Sequence, residues 1–204
     1  MNGYVGIMKS QFYLFKKNNL FIISQIIPLI ATLLVIGYFS ISKRFSSHEI
    51  IILYIELMAI FLPFYISLVV GLGLKEDQEV SYQNMLKRII PRKITYLGKL
   101  SSILLVILTA FLINLSAVSL YLTLRYQNVN LQLLFSMGSI LFIEVIFLIN
   151  LHLFIHLISN FSFCVMIGGL GMIIVAIVDT GLGDNIWRYI PWNWGSRIAT
   201  ILYN

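Results

Sequence analysis

The chain reads as an all-α, polytopic membrane helix bundle of about five spans, and three observations predict this. Hydrophobic residues make up 59% of the 204 residues and charged residues 11%, against roughly 25% charged in an average soluble domain. Mean hydropathy is +0.93. The charges also fall into bands, and the neutral stretches between them are long enough to cross a hydrocarbon core of about 30 Å. A soluble fold cannot bury that much apolar surface, so an ATPase, a kinase or another sizeable soluble enzyme within the same chain is excluded. The single cysteine, Cys164, sits in an apolar run, which leaves no disulfide framework and no cysteine metal site.

Ahead of the first span, Val5, Met8, Phe12 and Phe15 recur at helical spacing, with Lys9, Lys16 and Lys17 largely on other faces. This pattern predicts an interfacial helix feeding the first span, either as a basic anchor or with a part in coupling. Met1–Lys17 lacks the continuous apolar run and small-residue cleavage site of a signal peptide. The first span, Leu20–Ile41, carries no charge. The second, Ile50–Leu74, is interrupted by Glu56 and Pro63, and the third, Leu100–Leu124, is the cleanest. From Leu131 the apolar character continues almost to Asp179, too far for one helix. The tetrad Ile158-Ser159-Asn160-Phe161 is the natural break, giving spans near Leu131–Leu157 and Ser162–Thr180. The last ten residues are too short to span and are expected outside the membrane or within its interface.

Orientation follows from Lys and Arg near the span ends. Nine of the 14 basic residues lie before the first span and between the second and third; Lys43, Arg44, Arg125, Arg188 and Arg197 lie on the other side. The N-terminus is therefore expected in the cytoplasm and Asp179 onward outside. The net charge of +6 is accounted for by this topology and by the lipid surface, and nucleic acid is not an expected partner.

The Lys75–Lys99 connection is the one loop of any size. Tyr82, Leu86, Ile89 and Ile90 form a helical stripe, Gln83, Lys87 and Arg88 lie off it, Ser81 is a cap candidate and Pro91 stops the helix. A short amphipathic helix is predicted, either resting on anionic lipid or docking a cytoplasmic partner. Near the other end, Trp187, Tyr189, Trp192 and Trp194 crowd around Pro191. An aromatic belt at the outer leaflet is the simpler reading, and contact with an amphipathic substrate the sharper one.

Ionisable residues inside a membrane are costly and point to function. Glu56 lies about two turns inside the second span, and Glu144 lies near the middle of the fourth with His152 and His156 further along. At 100° per residue one helix face carries Glu144, His152 and His156. A buried network, the lining of a substrate path and a proton relay are all open for these residues. His-x-x-x-His without the Glu of H-E-x-x-H is a weak zinc signal, so no metal is expected. Cys164 has no visible catalytic partner and reads as a small hydrophobe. Gly168, Gly169 and Gly171 are not followed by the Lys–Ser/Thr of a phosphate loop and suit close helix packing instead.

The run Glu79-Val80-Ser81-Tyr82-Gln83-Asn84-Met85-Leu86, then Pro91-Arg92-Lys93 and Tyr96-Leu97-Gly98-Lys99, resembles the cytoplasmic loop of ABC-2-type permeases. It is most similar to the small permease subunits of lantibiotic immunity transporters, and the Trp187 to Trp192 stretch resembles their segment before the last span. The specific motifs cover about thirty residues, the hydropathy plan the whole chain. Such permeases have six spans, so a sixth is here absent or truncated. The resemblance implies a non-enzymatic, multi-pass subunit in a bacterial cytoplasmic membrane that expels an amphipathic antimicrobial peptide. It implies Glu79, Tyr82, Gln83, Leu86, Lys87 and Arg88 as the coupling element, and two copies of a cytoplasmic ATPase and a second permease as partners. ATP and magnesium would sit on the ATPase, with no cofactor in this chain. Glu56, Glu144, His152, Trp187, Trp192 and Trp194 are the candidates for a substrate path. An ion- or proton-coupled transporter using Glu56, Glu144 and His152 is the alternative.

Overall fold

The computed structural model describes residues 2–17, 19–42, 44–79 and 91–203. Among these the regular structure is helical throughout: α1 (Asn2–Lys17), α2 (Leu20–Ile41), α3 (Ser47–Glu79), α4 (Arg92–Arg125), α5 (Leu131–Ile158), α6 (Phe161–Ile177) and α7 (Trp194–Tyr203), with irregular turns between α6 and α7. Five stretches are long and apolar enough to cross a membrane: 20–41, 47–75, 92–125, 131–158 and 161–182. This is the make-up of a multi-pass membrane protein. The predicted helix between Glu79 and Pro91 lies outside the described residues, apart from the backbone of Glu79 as the last residue of α3.

Local chemistry sets the boundaries. Asn19 holds the left-handed φ of 54° that Asn tolerates, and this turns α1 sharply into α2. Asn130 caps α5 by accepting from the Leu133 N–H at 3.1 Å, and Asn160 caps α6 by accepting from Phe163 at 2.9 Å. The break at Ser159-Asn160 thus divides α5 from α6.

Helix lengths give the bundle unequal ends. At one end α2, α3 and α4 finish together. Arg125 donates to the Phe39 carbonyl at 2.9 Å, and Ser47 donates to the Asn128 carbonyl at 3.3 Å. The 22 residues of α2 cover about 33 Å, whereas the 33 of α3 and 34 of α4 cover about 50 Å. At the opposite end α3 and α4 therefore run about 17 Å past the start of α2. This end of α3 and α4, the stalk, is flanked by the α5–α6 junction, where the Phe161 N–H donates to Gln78 Oε1 at 3.3 Å and Tyr96 donates to Asn150 at 2.6 Å. The stalk is clamped by a buried ion pair between Lys99 and Asp77. Helix α1 packs along it rather than lying only on lipid. Its buried stripe is Ile7, Gln11 and Phe15, with Val5 exposed, so Val5, Met8 and Phe12 do not form the inward face. The reason is Gly98 on α4, whose missing side chain makes the space that Ile7 fills. Tyr4 and Ser101 pair through their hydroxyls at 2.6 Å.

Two buried clusters form the core. One, near the Arg125 end, joins Phe39, Ile51, Ile55, Leu134 and Met137. The other, toward the stalk, joins Ile66, Val70, Leu74, Ile103 and Leu148. Helix α6 lies against α3 through its glycines: Gly168 faces Ser67 and the Pro63 carbonyl, and Gly171 faces the Pro63 ring.

Candidate functional site

The 17 residues of α6 reach only about 25 Å. The helix ends in a wide turn, Val178–Leu182, where Gly181 takes a φ of 90°, a conformation open to glycine and closed to most side chains. The chain then doubles back. Gly183 is pressed onto Val178, where a Cβ would stand 2.7 Å from the Val178 Cα. Short turns at Trp187–Tyr189 and Pro191–Asn193 follow, and Trp192 arrives beside Gly171, where a Cβ would meet the indole at 3.1 Å. Gly171 lies about 9 Å before the end of α6. From this depth α7 runs back toward the Arg125 end, with Ala199 wholly buried in the core there. Residues 183–203 thus make a re-entrant hairpin with one irregular and one helical limb. One face of α7 packs against α5, with Ile198 and Ile201 exposed on the other, because Gly195 and Ala199 are small enough to let α7 approach.

The tip of this hairpin gathers polar groups from four elements. Glu144 of α5 is buried, and the backbone N–H groups of Trp194 and Gly195 point at its carboxyl. The first N–H groups of a helix have no partner within it, and together they carry partial positive charge. An acid from a neighbouring helix therefore completes the start of α7. A Cβ on Gly195 would overlap Glu144 Oε2, so the contact needs glycine there. Ser196 donates to Asp179 Oδ2 at 2.9 Å. Arg197 donates to the Val178 carbonyl at 2.5 Å, pairs with Asp184 at 2.9 Å and lies 3.6 Å from Asp179. Glu56 of α3 is within electrostatic reach of both Asp179 and Arg197, and the buried Asn193 stands beside Asp179. Two acceptors, Glu144 Oε1 and Asn193 Oδ1, are left without a hydrogen bond, together with the donors Arg197 Nε and Trp192 Nε1. The cluster presents carboxyls and one guanidinium at a point where α3, α5, α6 and the hairpin meet, so it can bind polar groups that donate or accept hydrogen bonds. Among the described residues no group of three or more His, Cys, Asp or Glu side chains is placed to hold a metal.

The structure brings Glu56 and Glu144 to this cluster but leaves His152 elsewhere. Two turns along α5, about 12 Å away, His152 is buried with its Nδ1 3.8 Å from the Cys164 sulfur. The Cys164 thiol donates to the His152 carbonyl at 3.5 Å. This Cys–His proximity across α5 and α6 is invisible in the sequence. His156 lies within electrostatic reach of Lys99 at the base of the stalk. The aromatic residues divide. Trp192 is inserted into the bundle, so an interfacial belt does not describe it. Trp194 stacks 5.3 Å from Phe147 and donates to the Arg188 carbonyl at 3.0 Å. Trp187 is half-buried with the Arg188 guanidinium 5.8 Å from its ring centre. Tyr82, Gln83, Leu86, Lys87 and Arg88 lie outside the described residues, as does the side chain of Glu79. Sequence reasoning missed Asp179, Asn193, Ser196 and Arg197 in the cluster, and Asp77 and Lys99 in the clamp. The one available signal was a fifth span too short for its neighbours, followed by Pro191 among tryptophans. Comparison with protein-family models, with curated proteins and with solved structures finds no match to this chain.

Proposed function

We propose that the chain is the membrane subunit of an ABC-2-type exporter that expels a lantibiotic or similar cationic, amphipathic peptide from a bacterial cytoplasmic membrane. The observation that carries this reading is the clamped stalk. Helices α3 and α4 continue about 17 Å beyond α2, to the level of the α5–α6 junction. The Lys99–Asp77 pair makes them one body. Such a rigid end gives a cytoplasmic ATPase an element to act on, and the resemblance assigns the contact to Tyr82, Gln83, Leu86, Lys87 and Arg88. The similarity of Glu79–Lys99 to the coupling loop of lantibiotic immunity permeases supports the same assignment.

In this mechanism ATP and magnesium are bound by two copies of a separate ATPase, and a second permease subunit completes the membrane part. Closure of the ATPases displaces the stalk. Movement of α3 passes to α6 through the Gly168 and Gly171 contacts, and α6 carries the hairpin whose tip holds Glu144, Asp179 and Arg197. The peptide's cationic groups are matched by the carboxyls of that cluster.

The test is purification of the tagged full chain from its native membranes. An ATP-hydrolysing subunit should co-purify, with hydrolysis stimulated by a cationic amphipathic peptide. Isolation without any ATPase, together with transport that a protonophore abolishes and ATP depletion does not, would overturn the proposal. That result would favour the ion-coupled alternative, for which the grouping of Glu56, Glu144 and Asp179 speaks and from which the position of His152 subtracts.

A further inference from the structure

Between α2, α3 and α4, closed at one side by Met172 of α6, lies a cavity of about 350 Å³. That is at the small end of the range of about 300–1,000 Å³ in which ligand sites fall. Its wall is almost wholly apolar, with Leu57 and Phe111 typical, but four polar side chains interrupt it: Thr32, Tyr54, Asn114 and Tyr65, the last already donating to the Ser24 carbonyl at 3.0 Å. Asn114 is 1% exposed. Its Nδ2 donates to the Ala110 carbonyl at 2.6 Å, and since only the nitrogen can donate to a carbonyl, the orientation of the amide is fixed. Its Oδ1 is buried and has no hydrogen-bond partner. The Thr32 and Tyr54 hydroxyls lie 3.1 Å apart, both buried. One donates to the other, so the pair retains one O–H with nothing to give it to.

The depth of these groups restricts what can satisfy them. Asn114 lies about 16 Å from the Arg125 end of α4, and Thr32 about 13 Å from the matching end of α2. Both are close to the middle of a core about 30 Å thick. A charged headgroup is costly at that depth, which argues against a phospholipid head. A plain hydrocarbon fills the cavity but leaves Asn114 Oδ1 unpaired in an apolar setting. A hydroxyl supplies both functions, a donor for Asn114 Oδ1 and an acceptor for the Thr32–Tyr54 pair, and all three side chains line the same cavity.

We propose that this cavity binds a neutral lipid alcohol, an uncharged molecule with a long hydrocarbon body and one hydroxyl, seated with that hydroxyl between Asn114 and the Thr32–Tyr54 pair. The inference does not depend on the exporter reading. It is tested on the full chain reconstituted in phosphatidylcholine vesicles with three photoactivatable probes of matched chain length: a long-chain alcohol, an alkane and phosphatidylcholine. The alcohol should label segments 27–35, 54–65 and 107–114 saturably, at a concentration about tenfold below that of the alkane, the factor expected for one buried acceptor left unpaired. Unlabelled long-chain alcohol should compete, and phosphatidylcholine should not. Asn114→Leu should remove the alcohol's advantage while alkane labelling persists. Thr32→Val and Tyr54→Phe, which keep shape and lose one hydroxyl each, should reduce that advantage and serve if Asn114→Leu does not fold. Equal half-saturation by alcohol and alkane, competition by phosphatidylcholine, or an advantage that survives these substitutions would overturn the proposal.

Discussion

Gly168→Ala tests the contact on which the α3–α6 pairing rests. The added methyl would stand 2.8 Å from the Pro63 carbonyl oxygen and overlap both Oγ and Cβ of Ser67. The Ser67 hydroxyl can rotate, but the carbonyl is part of the α3 backbone and cannot withdraw without moving the helix. Overpacking of this kind costs about 1–3 kcal/mol, offset by the roughly 0.5–1 kcal/mol that Ala gains over Gly inside a helix. The net loss is up to about 2.5 kcal/mol, or as much as roughly a 5–10 °C fall in unfolding midpoint for a chain of this size. Gly37→Ala is the control, because a Cβ there meets nothing within 4 Å and only the helix gain remains. Both variants are measured by thermal unfolding in detergent, read by tryptophan fluorescence. Adding Ser67→Gly to Gly168→Ala should recover part of the loss, with a coupling of about 1 kcal/mol between the two sites. If Gly168→Ala is as benign as Gly37→Ala, the two helices do not meet as described and the proposed route from stalk to hairpin fails.

Three further outcomes are expected. A tag after Lys17 should be protected from external reagents in intact cells and one at Asp184 reachable, and labelling of Asp184 only after permeabilisation would reverse the orientation. Glu144→Gln should keep an acceptor for the Trp194 and Gly195 N–H groups, whereas Glu144→Leu strands them at about 1–3 kcal/mol; limited proteolysis of 183–203 separates the two, and loss of transport in a folded Gln variant would mean that a titratable carboxyl is required. For the 80–90 connection, docking in an ATPase groove predicts that Leu86→Ala or Tyr82→Ala releases the ATPase or uncouples hydrolysis more than charge reversal at Lys87 and Arg88 does. Attachment to anionic lipid, worth about 1 kcal/mol per basic residue, predicts the opposite order in the same pull-down and ATPase assay.

The spans were legible because lipid imposes one strong rule, that a crossing segment be long and apolar. Leu20–Ile41 was placed to the residue, and the division at Ser159-Asn160 could be read from two polar side chains in an apolar run. The α1 face was not legible from its own pattern. Ile7 and Gln11 are buried because Gly98 and the stalk receive them, and nothing in the first seventeen residues refers to position 98. The cluster was half legible. Glu56 and Glu144 stand out as acids in apolar surroundings, but Asp179 and Arg197 look like ordinary flanking charges until the chain doubles back between them. Asn114 was passed over because a lone amide in a span carries no periodic signal. Its meaning comes from a cavity that three other helices complete.

The completion of α7 by a side chain from α5 dictates an order of events in biogenesis. A segment with non-helical backbone cannot enter hydrocarbon alone, because its peptide groups have no partners there. Several N–H groups of residues 183–193 bond to carbonyls three or four residues back, but the packing of Trp192 against Gly171 and of Pro191–Asn193 beside α3, α5 and α6 exists only within the assembled bundle. The helical limb has the same requirement, since its opening N–H groups await Glu144. Insertion of the five spans must therefore come first and leave an unfilled cleft among α3, α5 and α6. The hairpin closes that cleft afterwards, so that residues 183–201 act as a keystone for helices laid down before them.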